Sequence, residues 1–402
     1  MNKKILKYFA GVTAVMMPLS GSAYDFEQDS LSYTILQDRE DCVEVSSLNG
    51  SYGESQIWEI TVPDHVDFSG KSYKVVSIGE NAFYFRWIDS VTLPETITSI
   101  ERLAFFGCVA LKYIKLPESL THLGYSSVNH SPYKSLVIPN KVDTINCAFY
   151  MDTDLERLVL GKGVKVITGR AFLEVHKLKE LYIMSPEPPV FPDNEYFDRP
   201  FYDCRSDNAI VYVPAEALDK YPRREEGEEN SYTGDYNGYR VFDSSWKFFT
   251  DYRPIPDLFV VLSEEEYTLP LDHSLQIFYD TVNYADVDIY SEKWEYDPEM
   301  VFIDGDIVTA LKPGETTLRR IVDTSTGEYK SHDIKLTILD TSGVTLPTVD
   351  PDQSEPAKRL NADGSSTFYG IDGTPAGGNP DKLRPGVYIE RRGNKTTKFI
   401  KR

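Results

Sequence analysis

The chain contains little of the chemistry on which most catalytic and metal sites depend. Only four of its 402 residues are Cys and only six are His. The histidines are scattered, no two have the spacing of metal ligands on a helix, and no phosphate-binding, dinucleotide-binding or nucleophile motif occurs. We therefore predict no enzyme activity, no cofactor and no metal site. A pair of carboxylates for glycoside hydrolysis stays open, because the distance between two such groups is set by the fold.

Long apolar runs are also missing beyond the N-terminus. The single candidate, from Ile5 to Leu19, is too short and too interrupted to span a membrane. It lies between N-terminal lysines and a stretch of small residues, which is the pattern of a secretory signal peptide. We predict a signal peptide at 1–23, no transmembrane segment, and a mature protein that is secreted or held at the outer cell surface.

Basic residues are outnumbered. There are 42 Lys and Arg against 63 Asp and Glu, so the net charge is −21, which argues against nucleic acid as a partner. The exception is the end of the chain, where residues 382–402 carry eight basic residues and one Glu. Charged and apolar residues alternate there, and this pattern predicts an amphipathic strand pair.

One short apolar pattern is abundant and occurs seven times between residues 57 and 214. Each copy reads apolar, two residues, apolar, one residue, apolar, and consecutive copies lie 22 or 23 residues apart from Leu93 to Ile183. The copies are Ile57–Val62, Ile88–Leu93, Leu111–Leu116, Tyr133–Ile138, Leu155–Leu160, Leu178–Ile183 and a degenerate copy that ends at Val213. A fixed period of this length predicts a stacked solenoid of about seven rungs, each with a strand whose apolar residues point inward.

In the second half of each unit the chain turns back, and this return segment contains an Ala-Phe pair in several of the repeats, as in Ala82-Phe83 and Ala171-Phe172. We predict that these Phe rings stack as a ladder through the core. Val128 replaces the Phe in the third return, and the fourth return is one residue shorter. A local packing defect is therefore predicted within 124–149.

The repeat register bears on the four cysteines. Cys108 and Cys147 lie two rungs apart, which is about 10 Å at a strand spacing near 5 Å, and a disulfide needs its Cα atoms within about 7 Å. Cys42 and Cys204 lie at opposite ends of the solenoid. We predict that all four are buried thiols.

The same register predicts which side chains point outward from the strands. On a solenoid this face is the usual recognition surface, although a plain solvated sheet face would show the same pattern. The candidate binding residues are Ser90, Thr92, Tyr113, Lys115, Ser135, Val137, Arg157, Val159, Glu180 and Tyr182.

These motifs resemble the BspA-like leucine-rich-repeat family of exported bacterial surface proteins. The resemblance rests on Leu-x-x-Ile-x-Leu-Pro followed by Ile-Gly-x-x-Ala-Phe, and it covers roughly residues 24–250. It implies an N-terminal hairpin cap at 24–56 and a right-handed solenoid with a closing cap at 57–254. It also implies strands along one concave side and adhesion to host or bacterial surfaces.

The C-terminal part has a different organisation. Residues 255–340 show short alternating segments typical of a small β-sandwich, and Trp294 with the Ala310–Gly314 segment resembles bacterial Ig-like group 2 modules. That resemblance implies a spacer whose core packs around Trp294. A Pro/Ser/Asp-rich linker is predicted at 341–358.

The last segment, 359–402, resembles the C-terminal sorting modules of type IX secretion substrates. The Pro385–Ile389 run, Pro-Gly-Val-Tyr-Ile, and the basic end carry the resemblance, which implies delivery to the cell surface. A small β-module without a transport role is the alternative.

An insertion at 223–245 offers a second candidate binding element. Its tyrosines Tyr232, Tyr236 and Tyr239 are separated by Gly, Asn and Asp, as in adaptable binding loops. Acidic, Gly-rich loops are also simply flexible, and the sequence does not separate the two interpretations.

Together these patterns predict a mainly β protein: a leucine-rich-repeat solenoid, a small Ig-like β-sandwich and a short C-terminal β-module. The leading hypothesis is a surface protein that binds a protein or extracellular-matrix ligand through the solenoid. The alternatives are a carbohydrate-directed surface protein, either a glycan binder or a hydrolase, and a structural display stalk. The sequence predicts no oligomeric state.

Overall fold

The chain is described from a computed structural model that covers residues 24–49, 58–152, 154–192, 200–222 and 245–340. Six short strands outside these ranges, two between residues 235 and 240 and four between residues 367 and 401, are described by their backbone alone. The predicted signal peptide and the predicted linker lie outside the described residues. The chain divides into two compact units: residues 1–133 with 137–253, and residues 134–136 with 254–402.

The first unit is built almost entirely from short strands. The first eighteen strands of the chain are β1 Phe26–Gln28, β2 Leu31–Ile35, β3 Cys42–Leu48, β4 Trp58–Thr61, β5 His65–Phe68, β6 Lys71–Ile78, β7 Ile88–Thr92, β8 Ser99–Ile100, β9 His122–Leu123, β10 Ser135–Ile138, β11 Thr144–Asn146, β12 Arg157–Leu160, β13 Val166–Thr168, β14 Glu180–Ile183, β15 Ile210–Val213, β16 Asp235–Tyr236, β17 Tyr239–Arg240 and β18 Asp251–Pro254. Two 3-10 helices, Ala215–Lys220 and Trp246–Phe248, follow the last repeat strands.

Strands of successive repeats pair in parallel, as a solenoid requires. Partners on β12 and β14 are one period of 23 residues apart, whereas Trp58 pairs with Ile88 and Glu180 with Ile210, each 30 residues later. Strands of the first half of the repeat form the pair β4-β7 and the sheet β10-β12-β14-β15-β18. Strands of the return half extend the N-terminal hairpins in the order β1-β2-β3-β6-β8-β9, with β5 on β6, and continue as the pair β11-β13. The pairing of Arg157 with Glu180, 23 residues later, gives the period directly.

Six of the seven predicted strand copies form strands, and the third does not. Residues 111–116 have no regular strand in the described structure, although Leu111, Ile114 and Leu116 are buried as predicted. Their apolar side chains fill the core without a hydrogen-bonded ladder. At this rung the apolar residues of the repeat are therefore buried although no strand forms.

The predicted phenylalanine ladder is present. The ring centroids of Phe83 and Phe105 lie 4.9 Å apart, those of Phe149 and Phe172 lie 5.6 Å apart, and those of Phe172 and Phe201 lie 5.2 Å apart. Phe248 continues the stack with its ring 4.5 Å from Phe201.

The ladder is interrupted where the sequence predicted a defect. Val128 is completely buried between the rungs of Phe105 and Phe149, and it supplies no ring. The same region contains four buried side-chain oxygens without a hydrogen-bond partner in the described structure. They are Ser127 Oγ, Asn129 Oδ1, Tyr133 OH and Asp152 Oδ2.

Glycine replaces proline at the turn after β12 because the turns approach each other closely. A Cβ atom at Gly161 would lie 2.5 Å from the carbonyl oxygen of Pro139, and one at Gly163 would lie 2.3 Å from that of Asn140. Real Cβ atoms do not approach backbone this closely, so only Gly fits at these two positions.

The cysteines are four unpaired thiols, but not all are buried. Cys108, Cys147 and Cys204 are buried, whereas Cys42, in the N-terminal hairpin strand β3, is half-exposed, which corrects the prediction for that residue. Cys108 Sγ donates to the carbonyl oxygen of Phe83, and Cys204 Sγ donates to that of Val175. Burial raises the pKa of Cys108 and of Cys204 to about 12.

The second unit contains short strands in several small sheets. Its strands up to residue 340 are β19 Leu258–Leu262, β20 Glu266–Pro270, β21 Ser274–Gln276, β22 Tyr279–Asn283, β23 Ile289–Glu295, β24 Val301–Asp304, β25 Ile307–Ala310, β26 Gly314–Thr324, β27 Glu328–Lys330 and β28 Ile334–Leu339. They form the sheets β19-β22, β20-β28-β26-β23 with β27 on β26, and β21-β25-β24. The predicted relationship to Ig-like modules stays a prediction.

The core of the second unit is aliphatic, and Trp294 lies at its margin. Its buried cluster is Leu262, Leu269, Ile277, Val301, Val308, Ala310, Leu318, Ile334, Leu336 and Ile338. Trp294 is only partly buried and packs against this cluster, with its indole N–H donating to the carbonyl oxygen of Gly305 at 3.0 Å. The prediction that the core is centred on Trp294 is therefore wrong, because the indole keeps its polar tip at the rim where a carbonyl is available.

Four C-terminal strands are described by their backbone. They are β29 Thr367–Tyr369, β30 Pro375–Gly377, β31 Gly386–Arg392 and β32 Lys395–Lys401, in the order β30-β29-β31-β32. The antiparallel pair β31-β32 is the strand pair predicted for residues 382–402.

Candidate functional site

The predicted outward ladder divides into an exposed half and a buried half. Thr92 and Lys115 are exposed, and Ser90, Tyr113 and Val137 are half-exposed. The other five predicted residues are buried, which corrects the expectation that they face solvent; they are Ser135, Arg157, Val159, Glu180 and Tyr182. Part of this burial is explained by contacts among the residues themselves.

Arg157 and Glu180 form a buried ion pair across two rungs. They are register partners on β12 and β14, and Arg157 Nε lies 3.0 Å from Glu180 Oε2. The Tyr182 hydroxyl donates to the same carboxylate oxygen at 3.3 Å. Burial, and after it the charge of Glu180, raises the pKa of Tyr182 well above its ordinary value. Since a buried charge is costly unless paired, these contacts hold the rungs together.

The ladder continues one strand beyond the predicted residues. Tyr182 on β14 and Tyr212 on β15 are register partners. Their rings stack with 4.5 Å between the centroids and 9° between the ring planes. Arg253 on β18 forms an ion pair with Asp251, with 2.7 Å between the guanidinium nitrogen and the carboxylate oxygen. The sequence prediction missed Tyr212, although the degenerate copy that ends at Val213 places it in register with Tyr182.

The accessible part of the ladder lies on the N-terminal rungs. Glu59 and Thr61 on β4 are exposed, and they pair in register with Ser90 and Thr92 on β7. The 23-residue period puts Tyr113 and Lys115 at the equivalent positions of the next rung. We call this set the exposed row: Glu59, Thr61, Ser90, Thr92, Tyr113 and Lys115.

A half-buried aromatic cluster lies on the return side of the first rungs. The rings of Tyr84 and Phe106 stack at 5.6 Å, those of Phe106 and His130 stack at 5.3 Å, and Phe85 meets Phe106 edge-on at 5.5 Å. Burial lowers the pKa of His130. The sequence prediction missed this cluster, and its signal was a second aromatic residue directly after the ladder phenylalanines Phe83 and Phe105.

The tyrosine-rich insertion is described only in part. The backbone pairs Asp235–Tyr236 with Tyr239–Arg240, and Tyr236 lies opposite Tyr239. Tyr232 and the side chains of Tyr236 and Tyr239 lie outside the described residues.

Among the described residues, no group of three or more His, Cys, Asp or Glu side chains has the geometry of a metal site. In the same part of the chain, no helix has the length and apolar character needed to cross a membrane.

The repeat region matches a known family. Residues 76–193 match the model described as BspA type Leucine rich repeat region, in six copies. The match confirms that this stretch is a leucine-rich-repeat region of the predicted type. No curated protein matches the chain.

Several solved structures are similar to part of the chain. A leucine-rich repeat protein from Bacteroides ovatus is 17% identical, with 47% of this chain and 71% of that chain covered and a TM-score of 0.27. The leucine-rich repeat protein of T. pallidum is 23% identical, with 39% and 70% covered and a TM-score of 0.33. The pneumococcal vaccine antigen PcpA is 18% identical, with 48% and 50% covered and a TM-score of 0.39.

Proposed function

We propose that this protein is a non-enzymatic, exported surface protein whose repeat region binds a protein ligand through the exposed row. The supporting observation is that six exposed or half-exposed side chains, four of them in register on β4 and β7 and two at the equivalent positions of the next repeat, offer hydroxyls, a carboxylate, a phenol and an ammonium. Strand-ladder faces of repeat proteins are extended surfaces that suit macromolecules better than small molecules. Extracellular-matrix proteins are the ligand class that we favour.

The binding test compares two double variants of the full chain. Tyr113→Ala with Lys115→Glu changes the exposed row, whereas Tyr125→Ala with Lys141→Glu makes the same chemical changes at exposed positions outside it. We expect the first variant to weaken binding to a panel of purified matrix proteins at least about tenfold, since central aromatic and charged residues carry most interface energy. Equal effects of the two variants would contradict the proposal.

The same panel separates the alternatives. Binding to a polysaccharide array, with no binding to matrix proteins, would favour the carbohydrate-directed function. An absence of any ligand, with deletion changing only surface architecture, would favour a display stalk.

The location belongs to the same proposal. Residues 1–23 act as the signal peptide, residues 255–340 act as an Ig-like spacer, and residues 359–402 direct the chain to the cell surface. Fractionation of cells that express the chain with and without residues 359–402 tests this part. Equal surface amounts of both forms would show that these residues have no sorting role.

A further inference from the structure

The outward face of the return strands carries a row of polar side chains distinct from the exposed row. Glu44 on β3 pairs in register with Ser77 on β6, Ser77 pairs with Ser99 on β8, and Ser99 pairs with His122 on β9. Register partners in parallel strands point to the same side of the sheet. These four side chains therefore line one row, on the side opposite the core-facing residue Ile78.

The next outward positions after Ser77 and Ser99 are Gly79 and Glu101, and the Glu44 carboxyl group reaches the first of them. The backbone N–H of Gly79 donates to Val45, that of Glu101 donates to Ile78, and both are cross-rung bonds. The carboxyl group of Glu44 extends over Gly79, and a Cβ atom there would lie 3.3 Å from Glu44 Oε1.

The charge on this face is incompletely balanced. Glu44 is half-buried, and its pKa is raised first by burial and then by the negative charge of Glu101. Glu101 has partners: the Ser99 hydroxyl donates to Oε1, and His122 Nε2 lies 3.7 Å from Oε2. Among the described side chains, no Lys or Arg pairs with Glu44.

Ser77 supplies an independent indication of a missing partner. Ser77 is only 4% exposed, and within the described part of the chain its Oγ atom has no hydrogen-bond partner. A buried hydroxyl without a partner is unfavourable, because it has lost its hydration and gained no hydrogen bond. The hydroxyl lies in the row between the side chains of Glu44 and Ser99, on the same face as the two carboxylates.

We propose that Glu44, Ser77 and Glu101 bind a divalent cation of the calcium type, with water completing its coordination. Two of the available ligands are carboxylates, which are among the oxygen ligands that Ca²⁺ prefers, and the hydroxyl of Ser77 adds a third oxygen; Ca²⁺ also tolerates irregular geometry. With two protein carboxylates, and with no three acidic, His or Cys side chains placed to hold a metal ion among the described residues, affinity falls in the weak range of extracellular modules, about 10⁻⁴–10⁻³ M.

The cation would join the N-terminal hairpins to the repeats. Glu44 belongs to β3 of the hairpin cap, and Glu101 lies two strands further on, directly after β8. Binding cancels the repulsion between the carboxylates and gives the Ser77 hydroxyl a partner, so it stabilises the cap against the first rungs.

The test uses the full chain, CaCl₂ as the probe, and two readouts: calorimetric titration and the thermal midpoint of unfolding. We expect saturable binding in the millimolar range or tighter, and a rise in Tm of a few degrees at 10 mM CaCl₂, roughly the size that ligand linkage gives. Glu44→Gln should remove both, and Ser77→Ala should weaken binding several-fold. In the absence of calcium, Glu44→Gln should keep the wild-type Tm or raise it, because it removes the repulsion.

Glu118→Gln is the matched control, since it removes one exposed carboxylate outside this face. It should bind calcium as the wild type does. The proposal is overturned if the wild type shows neither heat nor a Tm shift at 10 mM CaCl₂. It is also overturned if Glu44→Gln and Glu118→Gln behave alike, which would indicate adventitious binding to an acidic chain.

Discussion

Arg157 and Glu180 occupy positions that the repeat pattern marks as outward, yet their side chains are only 7% and 11% exposed. Two charges in such surroundings lose their hydration, and their attraction compensates only while both are present. The third partner, the Tyr182 hydroxyl, adds a hydrogen bond to the same oxygen, Glu180 Oε2. The pair therefore acts as a connection between rungs.

Removal of one partner should be far more costly than removal of both. We expect Arg157→Ala to lower the free energy of unfolding by about 3–5 kcal/mol, because Glu180 is left buried without its counter-charge. The double change Arg157→Met with Glu180→Leu should recover most of this loss. Urea unfolding followed by circular dichroism measures both effects.

Lys177→Ala provides the comparison for this pair. Lys177 pairs with Asp154 at 2.6 Å, but both side chains are about half exposed. Its loss should change the free energy of unfolding by less than about 1 kcal/mol. If Arg157→Ala had an equally small effect, the buried pair would not stabilise the stack.

The buried thiols Cys108 and Cys204 each have a structural role that needs no disulfide. Each donates to a carbonyl oxygen of the preceding rung, and a pKa of about 12 keeps it in the unreactive thiol form at neutral pH. The spacing argument predicted this burial for both residues. It failed for Cys42, because the cap hairpins do not follow the repeat register.

At the scale of elements, the phenylalanine ladder is the main apolar connection between return segments. Phe172 is completely buried, with Phe149 on one side at 5.6 Å and Phe201 on the other at 5.2 Å. Its replacement removes two ring contacts as well as the apolar area of one large side chain.

We expect Phe172→Ala to lower the free energy of unfolding by about 3–5 kcal/mol, as large cavities in cores do. Phe172→Leu should cost clearly less, because most of the volume is retained. The exposed substitution Val109→Ala is the control and should change stability by less than about 0.5 kcal/mol. Denaturant unfolding of the three variants gives the comparison, and a Phe172→Ala effect no larger than that of Val109→Ala would contradict the ladder's role.

The elements that sequence predicts well are those whose evidence is periodic. The apolar positions, the strand ladder and the interruption at Val128 follow from the 22–23-residue spacing. The solvent accessibility of the outward positions does not follow from this spacing, because the burial of Arg157 and Tyr182 depends on partners in other rungs. The position of Trp294 failed for a related reason: aromatic size suggests a core residue, whereas the indole N–H requires a nearby acceptor.

At the scale of the whole molecule, sequence predicted the mainly β composition. The chain divides into compact units at residues 253 and 254, while the predicted domain organisation stays a prediction. The candidate site was predictable only as a surface. The register identified the exposed row in part, but the Glu44, Ser77 and Glu101 cluster lies on the other face. It depends on the pairing of β3, β6 and β8, which brings residues far apart in sequence to one face and which no short motif records.

The interruption at Val128 has a mechanical consequence. In a stack held by nearest neighbours, we expect the weakest interface where one ring is absent and where, within the described residues, four buried oxygens lack hydrogen-bond partners. Pulled from its ends in an optical trap, the repeat unit should give way there first and lengthen in two separate steps, whereas a single cooperative step would contradict this. The repeat region then consists of two mechanical units that meet at Val128, and under an applied force one of them can unfold before the other.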